Sequence, residues 1–82
     1  MNKRKLFASI SNSQKNVKYK DFVLLIEAFG FRYERTRGSH NMYTHDSIMR
    51  TLNIQNDKGE GKSYQIKDFL KIVEEYELEM ED

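Results

Sequence analysis

The chain has 82 residues, a formal net charge of +1 and no cysteine. This length predicts a single domain over residues 1–82, and the missing cysteines exclude disulfide bonds and thiolate metal ligands. No apolar run approaches the ~20 residues that cross a bilayer. The composition therefore predicts a soluble, cytoplasmic protein that does not bind membranes.

The small net charge conceals an uneven distribution of charged residues. Residues 1–37 contain nine Lys or Arg and three acidic residues, whereas residues 68–82 contain one Lys and seven acidic residues. A basic segment of this kind favours an anionic partner such as nucleic acid. A solvated surface explains either charged run equally simply, and the acidic tail, residues 79–82, is expected to fray.

The first predicted element is a short helix from Lys3 to Ser11, which belongs to an N-terminal extension over residues 1–16. A second helix is predicted from about Lys18 to Phe29, because its apolar residues recur at i, i+3, i+4 and i+7. Gly30 is placed to end that helix, since glycine adopts the positive φ that follows many helices.

Strands follow the second helix. Apolar and polar residues alternate over residues 31–36, which predicts a half-buried strand with Phe31 and Tyr33 on one face. The sequence Arg37-Gly38-Ser39 predicts a turn, because glycine adopts backbone conformations that are closed to other residues. A second strand is expected over residues 40–44 and a third over residues 50–55, followed by a polar loop over residues 56–62.

The last predicted element is a helix over residues 64–78, with Ser63 as its N-cap. Three consecutive strands with short connections pair antiparallel, and the two long amphipathic helices must cover one shared face. The fold class is therefore a small two-layer α+β domain. Its order is helix-strand-strand-strand-helix, with an antiparallel three-stranded sheet, an extra short N-terminal helix and one sheet face open to solvent.

His40 is the main candidate for chemistry. If Tyr43 contacts the core, strand alternation places His40 on the open face. Imidazole exchanges protons near neutral pH, and RNA carries its own nucleophile, the 2′-hydroxyl. Cleavage therefore needs a base, an acid and positive charge around the phosphate. The candidates for the positive charge are Arg35, Arg37, Lys58 and Lys62. A purely structural histidine also explains this sequence.

Other chemistries fit less well. His40 and His45 are five residues apart and so lie on opposite faces of a regular strand. Even together with Asp46 they provide few ligands for a metal ion such as zinc. Neither a metal site nor another cofactor is expected. Ser39 adjoins His40, but neighbouring strand side chains point apart, which disfavours a serine nucleophile. His45 is explained most simply by hydrogen bonding at a strand end.

Several of these segments together resemble the HicA toxins of bacterial type II toxin–antitoxin systems. They are Glu27-Ala28-Phe29-Gly30-Phe31, the motif Arg37-Gly38-Ser39-His40 and the aromatic strand that ends at His45. The likeness covers about residues 18–78. It implies a fold like the double-stranded-RNA-binding domain and a metal-independent endoribonuclease, an mRNA interferase, that cleaves mRNA. It also implies that His40 is catalytic within the turn Gly38-Ser39-His40 and that a HicB-type antitoxin covers the site.

Two positions depart from the pattern of that family. Many members carry a second histidine directly after the first, where this chain has Asn41, and the proline that often follows the later histidine is Asp46 here. These departures favour an alternative, a catalytically inactive RNA-binding module of the same fold. A third possibility is a protein-interaction domain that does not bind nucleic acid. We expect the free protein to be a monomer that does not bind DNA by itself.

Overall fold

The structure is a computed structural model and describes residues 2–81. Its three helices are α1 (Lys3–Asn12), α2 (Tyr19–Ala28) and α3 (Ser63–Glu75). Its strands are β1 (Phe31–Arg37), β2 (His40–His45), β3 (Leu52–Ile54), β4 (Asn56–Asp57) and β5 (Glu60–Gly61). Strands β1, β2 and β3 form an antiparallel sheet in that order, which confirms the predicted α+β fold class.

The core lies between the helices and one face of this sheet. The strands bury Phe31, Tyr43, Leu52 and Ile54 there, and apolar residues of α2 and α3 supply the other side. Phe69 of α3 is fully buried at the centre. Its ring lies edge-on to Phe22, Phe29 and Phe31, with centroids 5.9, 5.6 and 6.1 Å away. This aromatic cluster joins both long helices to β1.

The N-terminal extension forms part of the same core. The side chain of Asn2 caps α1 by accepting a hydrogen bond from the backbone N–H of Arg4 at 2.8 Å. Leu6 and Ile10 are buried, and Phe7 lies edge-on to Phe29 at 5.0 Å. Helix α1 therefore stabilises the domain by covering apolar surface on α2 that would otherwise meet water.

A β-bulge interrupts the pairing of β1 with β2. Tyr33 pairs with Tyr43, but the next pair is Arg35 with Met42, so Glu34 has no partner in the ladder. Regular alternation would place Arg35 on the helix-covered face, two residues after Tyr33. The extra residue moves Arg35 to the open face instead. Tyr33 lies on the helix-covered face with Phe31, as predicted, but it is 54% exposed although its partner Tyr43 is buried.

A second, two-stranded hairpin replaces the polar loop predicted for residues 56–62. Strands β4 and β5 pair antiparallel, and the turn between them has positive φ at Lys58 (54°) and Gly59 (90°). Positive φ at both central residues is the geometry of a type I′ turn. The backbone N–H of Tyr19 donates to the carbonyl of Gly59 at 2.9 Å, which joins this hairpin to the start of α2.

The two ends of α3 differ from the prediction. Lys62 occupies the N-cap position, and Ser63 is the first helical residue. Its hydroxyl donates to the carbonyl of Gln14 at 3.0 Å and so connects α3 to the loop after α1. The helix ends at Glu75, three residues before the predicted end, and Glu77 then adopts a positive φ of 50°.

The acidic tail returns to the body of the domain. The backbone N–H of Glu81 donates to the carbonyl of Ala28 at 2.7 Å. Leu78 and Met80 pack against the core, which supplies the apolar contact that holds the segment. Fraying of residues 79–82 stays a prediction, and Asp82 lies outside the described residues. Within residues 2–81, none of the helices has the length and apolar character needed to span a bilayer.

Candidate active site

A two-residue turn places His40 at the start of β2. Arg37 and His40 pair across the ladder, so Gly38 and Ser39 alone connect the strands. Gly38 has a φ of 61°, a conformation that glycine adopts without the steric cost imposed by a Cβ atom. Glycine at the first central position is typical of the type II′ turn, which matches the twist of paired strands. The Gly38-Ser39 sequence therefore determines where His40 begins its strand.

The alternation of β2 places His40 on the open face of the sheet. Tyr43 is 6% exposed and belongs to the core, whereas His40 is an exposed residue. The orientation predicted from Tyr43 agrees with this arrangement. An imidazole in this position is accessible to a macromolecular substrate.

Two arginines lie next to His40 on this face. Arg37 is the direct cross-strand partner of His40, and Arg35 is paired with Met42 one position further along the same face. Side chains of directly opposed residues have Cβ atoms about 4.5–5.5 Å apart. Arg35, Arg37, His40, Met42 and Asn53 line one depression of about 410 Å³, the arginine depression. It combines an imidazole with two guanidinium groups.

A further depression of about 420 Å³ adjoins His40 on the side of α3. Its lining residues come from β2, β3 and the first two turns of α3: His40, Thr51, Asn53, Tyr64, Gln65 and Asp68. Tyr64 is 63% exposed although its ring is large and apolar. Sequence patterns did not assign this wall to the site, because β3 and α3 come together only in the folded chain. We call it the tyrosine depression.

A chain of hydrogen bonds supports the turn that carries His40. The side chain of Gln55 donates to the hydroxyl of Ser39 at 3.0 Å. Gln65 is only 6% exposed, donates to the side-chain oxygen of Gln55 at 3.0 Å and accepts from the Gln55 backbone N–H at 2.8 Å. The sequence signal for this contact is a glutamine, Gln65, directly before the apolar Ile66 in α3, because a buried polar side chain needs a hydrogen-bond partner. These bonds tie the turn to the start of α3.

The two candidate lysines lie elsewhere. Lys58 is at the tip of the β4–β5 hairpin, and Lys62 is the half-buried residue before α3. Neither lines the arginine depression or the tyrosine depression. The hairpin packs toward the start of α2, so the structure groups His40 with Arg35 and Arg37 and separates it from both lysines.

Asn41 faces away from His40, on the helix side of the sheet. Its side chain donates to the Tyr19 hydroxyl at 2.7 Å and accepts from the Thr36 hydroxyl at 2.7 Å. Burial raises the pKa of Tyr19 above its ordinary value, and the hydrogen bond from Asn41 partly offsets that rise. Asn41 thus links β2 to α2, and the substitution at this position leaves the open face beside His40 unchanged.

His45 has a structural environment. Its Nε2 atom lies 2.9 Å from the carbonyl oxygen of Phe29, and its Nδ1 atom accepts a hydrogen bond from the backbone N–H of Ser47 at 3.0 Å. Because Nδ1 accepts, Nε2 carries the proton and donates to Phe29. The ring also lies edge-on to Phe31 at 5.1 Å. These contacts support the interpretation of His45 as a hydrogen-bonded residue at a strand end.

Replacing His45 with alanine is expected to destabilise the domain by about 1–3 kcal/mol, because the half-buried carbonyl of Phe29 loses its partner. Urea unfolding followed by circular dichroism measures the change. A His45→Gln variant, which retains a donor, is expected to lose less stability. A free energy of unfolding for His45→Ala equal to that of the wild type contradicts this role.

Asp46 lies at the end of β2 opposite His40. Five residue steps along the strand separate His40 from His45, which corresponds to roughly 17 Å. The carboxylate of Asp46 forms an ion pair with Arg32 at 2.5 Å. Repulsion of a phosphate at His40 by Asp46 is therefore weak, because the charge is both distant and paired. No group of three or more His, Asp or Glu side chains able to hold a metal ion occurs within residues 2–81.

Comparison with known proteins identifies the family. The family model described as "HicA toxin of bacterial toxin-antitoxin" matches residues 19–74, which extend from the start of α2 almost to the end of α3. No curated protein and no solved structure matches the chain. The matched segment includes the Gly38-Ser39 turn, His40, Arg35 and Arg37. The chain belongs to the HicA toxin family of bacterial toxin–antitoxin systems.

Proposed function

We propose that this toxin is a metal-independent endoribonuclease that cleaves mRNA in the cytoplasm and that His40 is its catalytic residue. One observation carries the proposal: His40 is exposed on the open face of the sheet with Arg37 directly across the ladder and Arg35 beside it. This arrangement combines a proton-transfer group with a site for one phosphate. The motif turn, Gly38 and Ser39, acts by presenting the imidazole.

The reaction that suits these groups is an internal transesterification. The 2′-oxygen of a ribose attacks the adjacent phosphorus, the bond from phosphorus to the 5′-oxygen breaks, and the products are a 2′,3′-cyclic phosphate and a 5′-hydroxyl. One proton leaves the 2′-hydroxyl and one reaches the 5′-oxygen. His40 performs one of these transfers, and Arg35 and Arg37 stabilise the negative charge that develops on the phosphate.

Metal is unnecessary in this scheme, because the substrate supplies its own nucleophile. Labelled RNA incubated with the purified protein in excess chelator is expected to yield fragments that end in 2′,3′-cyclic phosphate, detected by mass spectrometry. RNA that stays intact but shifts in a native gel would instead support the alternative, a catalytically inactive RNA-binding module. Neither cleavage nor a shift would contradict both interpretations and favour a protein-interaction domain.

A toxin of a toxin–antitoxin system has an antitoxin partner, and we propose that this partner is of the HicB type. An antitoxin that inhibits cleavage by occlusion must cover His40, Arg35 and Arg37. Acidic side chains on the antitoxin suit this basic face. Co-purification with the product of an adjacent small reading frame, with loss of RNA cleavage in the complex, tests the assignment. Cleavage that continues unchanged in the complex contradicts occlusion of the site.

A further inference from the structure

The tyrosine depression has a composition that suits a nucleobase. We propose that it binds one unpaired base of the RNA, stacked on Tyr64, while the neighbouring phosphate lies at Arg35 and Arg37. This inference rests on the proposed function, since it assigns part of the substrate to the same site. His40 lines both depressions, so a nucleotide that occupies them passes its ribose and phosphate over the imidazole.

The stacking surface is the exposed ring of Tyr64. It lies on the second residue of α3, and within residues 2–81 no other aromatic ring packs against it. The side-chain amide of Gln65 lies 3.4 Å from the Tyr64 hydroxyl. The same amide donates to the side-chain oxygen of Gln55 at 3.0 Å. An exposed aromatic ring is the typical platform for a base of single-stranded RNA.

The rim of the tyrosine depression supplies hydrogen-bonding groups for the edge of a base. Asp68 offers acceptors only, and Asn53 and Thr51 offer both donors and acceptors. The nearest cation to Asp68 is Arg50, at 3.9 Å and therefore too far for a hydrogen bond. Arg50 also pairs with Glu75 at 3.6 Å, which divides its charge between two carboxylates. The Asp68 carboxylate thus remains able to accept hydrogen bonds from a ligand.

These groups favour guanine over the other bases. The Watson–Crick edge of guanine presents two adjacent N–H donors, the ring N1–H and the exocyclic amine, and a carboxylate can accept from both. Adenine and cytosine present one exocyclic amine each, and uracil presents one ring N–H. The same edge is engaged in a duplex, so the depression selects unpaired bases.

Binding measurements on the His40→Ala protein test the subsite without interference from cleavage. The probes are fluorescent five-nucleotide RNAs of uracil with a single central guanine, adenine or cytosine, and fluorescence anisotropy gives each Kd. We expect Tyr64→Ala to weaken binding of every probe at least about fivefold, as loss of one stacked base does. Tyr64→Phe retains the ring and is expected to bind every probe more tightly than Tyr64→Ala does.

Two further variants complete the design. Asp68→Asn is expected to reduce the preference for the guanine probe while leaving the adenine probe unchanged, because the carboxamide loses one acceptor. Tyr76→Ala, at the other end of α3 and 39% exposed, is the matched control for removal of a surface tyrosine and is expected to bind normally. Unchanged binding by Tyr64→Ala overturns the subsite, as does equal affinity for a blunt duplex of the same length.

The outcomes separate this inference from the proposed function. If the wild type cleaves RNA but Tyr64→Ala binds and cleaves as the wild type does, the base subsite is wrong and the ribonuclease stands. If RNA binds through Tyr64 but is never cleaved by the wild type, the subsite stands and the ribonuclease is wrong. A guanine preference that survives Asp68→Asn overturns the role given to that carboxylate.

Discussion

Replacement of His40 by alanine is expected to reduce RNA cleavage by roughly 10²–10⁴-fold, the usual contribution of a positioned acid or base, and to abolish growth arrest when the toxin is expressed. The fold should be unaffected, because His40 is exposed and surface substitutions usually change stability by less than about 0.5 kcal/mol. Cleavage rates of the purified proteins, measured beside growth and mRNA integrity after induced expression, give the result.

Two comparisons make this experiment specific to His40. Met49→Ala changes a side chain that is 98% exposed and serves as the control for an innocuous surface substitution. Thermal unfolding of the same preparations shows whether any loss of cleavage follows loss of structure. Wild-type cleavage by His40→Ala would remove the imidazole from the mechanism. A large fall in its melting temperature would instead assign His40 a structural role.

The largest effect on stability is expected at Phe69. Its side chain is fully buried and contacts three other phenylalanine rings that belong to α2, β1 and the turn between them. Phe69→Ala removes these contacts and leaves a cavity, which typically costs about 3–5 kcal/mol. Domains are stable by only about 5–15 kcal/mol, so much of the folding free energy is lost. Urea unfolding at 25 °C measures the difference.

A graded series tests the cavity explanation. Phe69→Leu retains most of the apolar volume and is expected to lose clearly less stability than Phe69→Ala. Met49→Ala, again the exposed control, is expected to match the wild type. Equal losses for the leucine and alanine variants would indicate that the aromatic edge contacts, rather than the filled volume, stabilise this centre.

The helices and the sheet order were predictable because their signals are local. Apolar spacing along α2 and α3 identified Phe22 and Phe69 as core residues, and both are fully buried. Gly30 ends α2 with the expected positive φ, here 94°. The Gly38-Ser39 turn was also predictable, because two-residue hairpins depend on the glycine itself. Each of these features is decided by a few consecutive residues.

The arrangement around His40 was predictable only in part. The exposure of the His40 imidazole followed from the alternation of side chains between the two faces of β2. The bulge at Glu34 had no sequence signal, because Glu34 differs in no obvious way from its neighbours and the extra residue exists only relative to β2. The tyrosine depression likewise needs α3 to lie against the edge of β3. Lys58 and Lys62, which the sequence pattern predicts near His40, lie away from it because residues 56–61 form the β4–β5 hairpin.

The amino-acid sequence by itself determined the identity of the helices, the antiparallel meander and the exposure of His40, because these depend on periodicity and turn chemistry within short segments. Tertiary structure decided which charges accompany that histidine. The shift of one residue at Glu34 turns Arg35 and Arg37 toward His40, since each step along a strand reverses the face of the sheet. The packing of α3 beside β3 then adds Tyr64 and Asp68 to the other side of the imidazole.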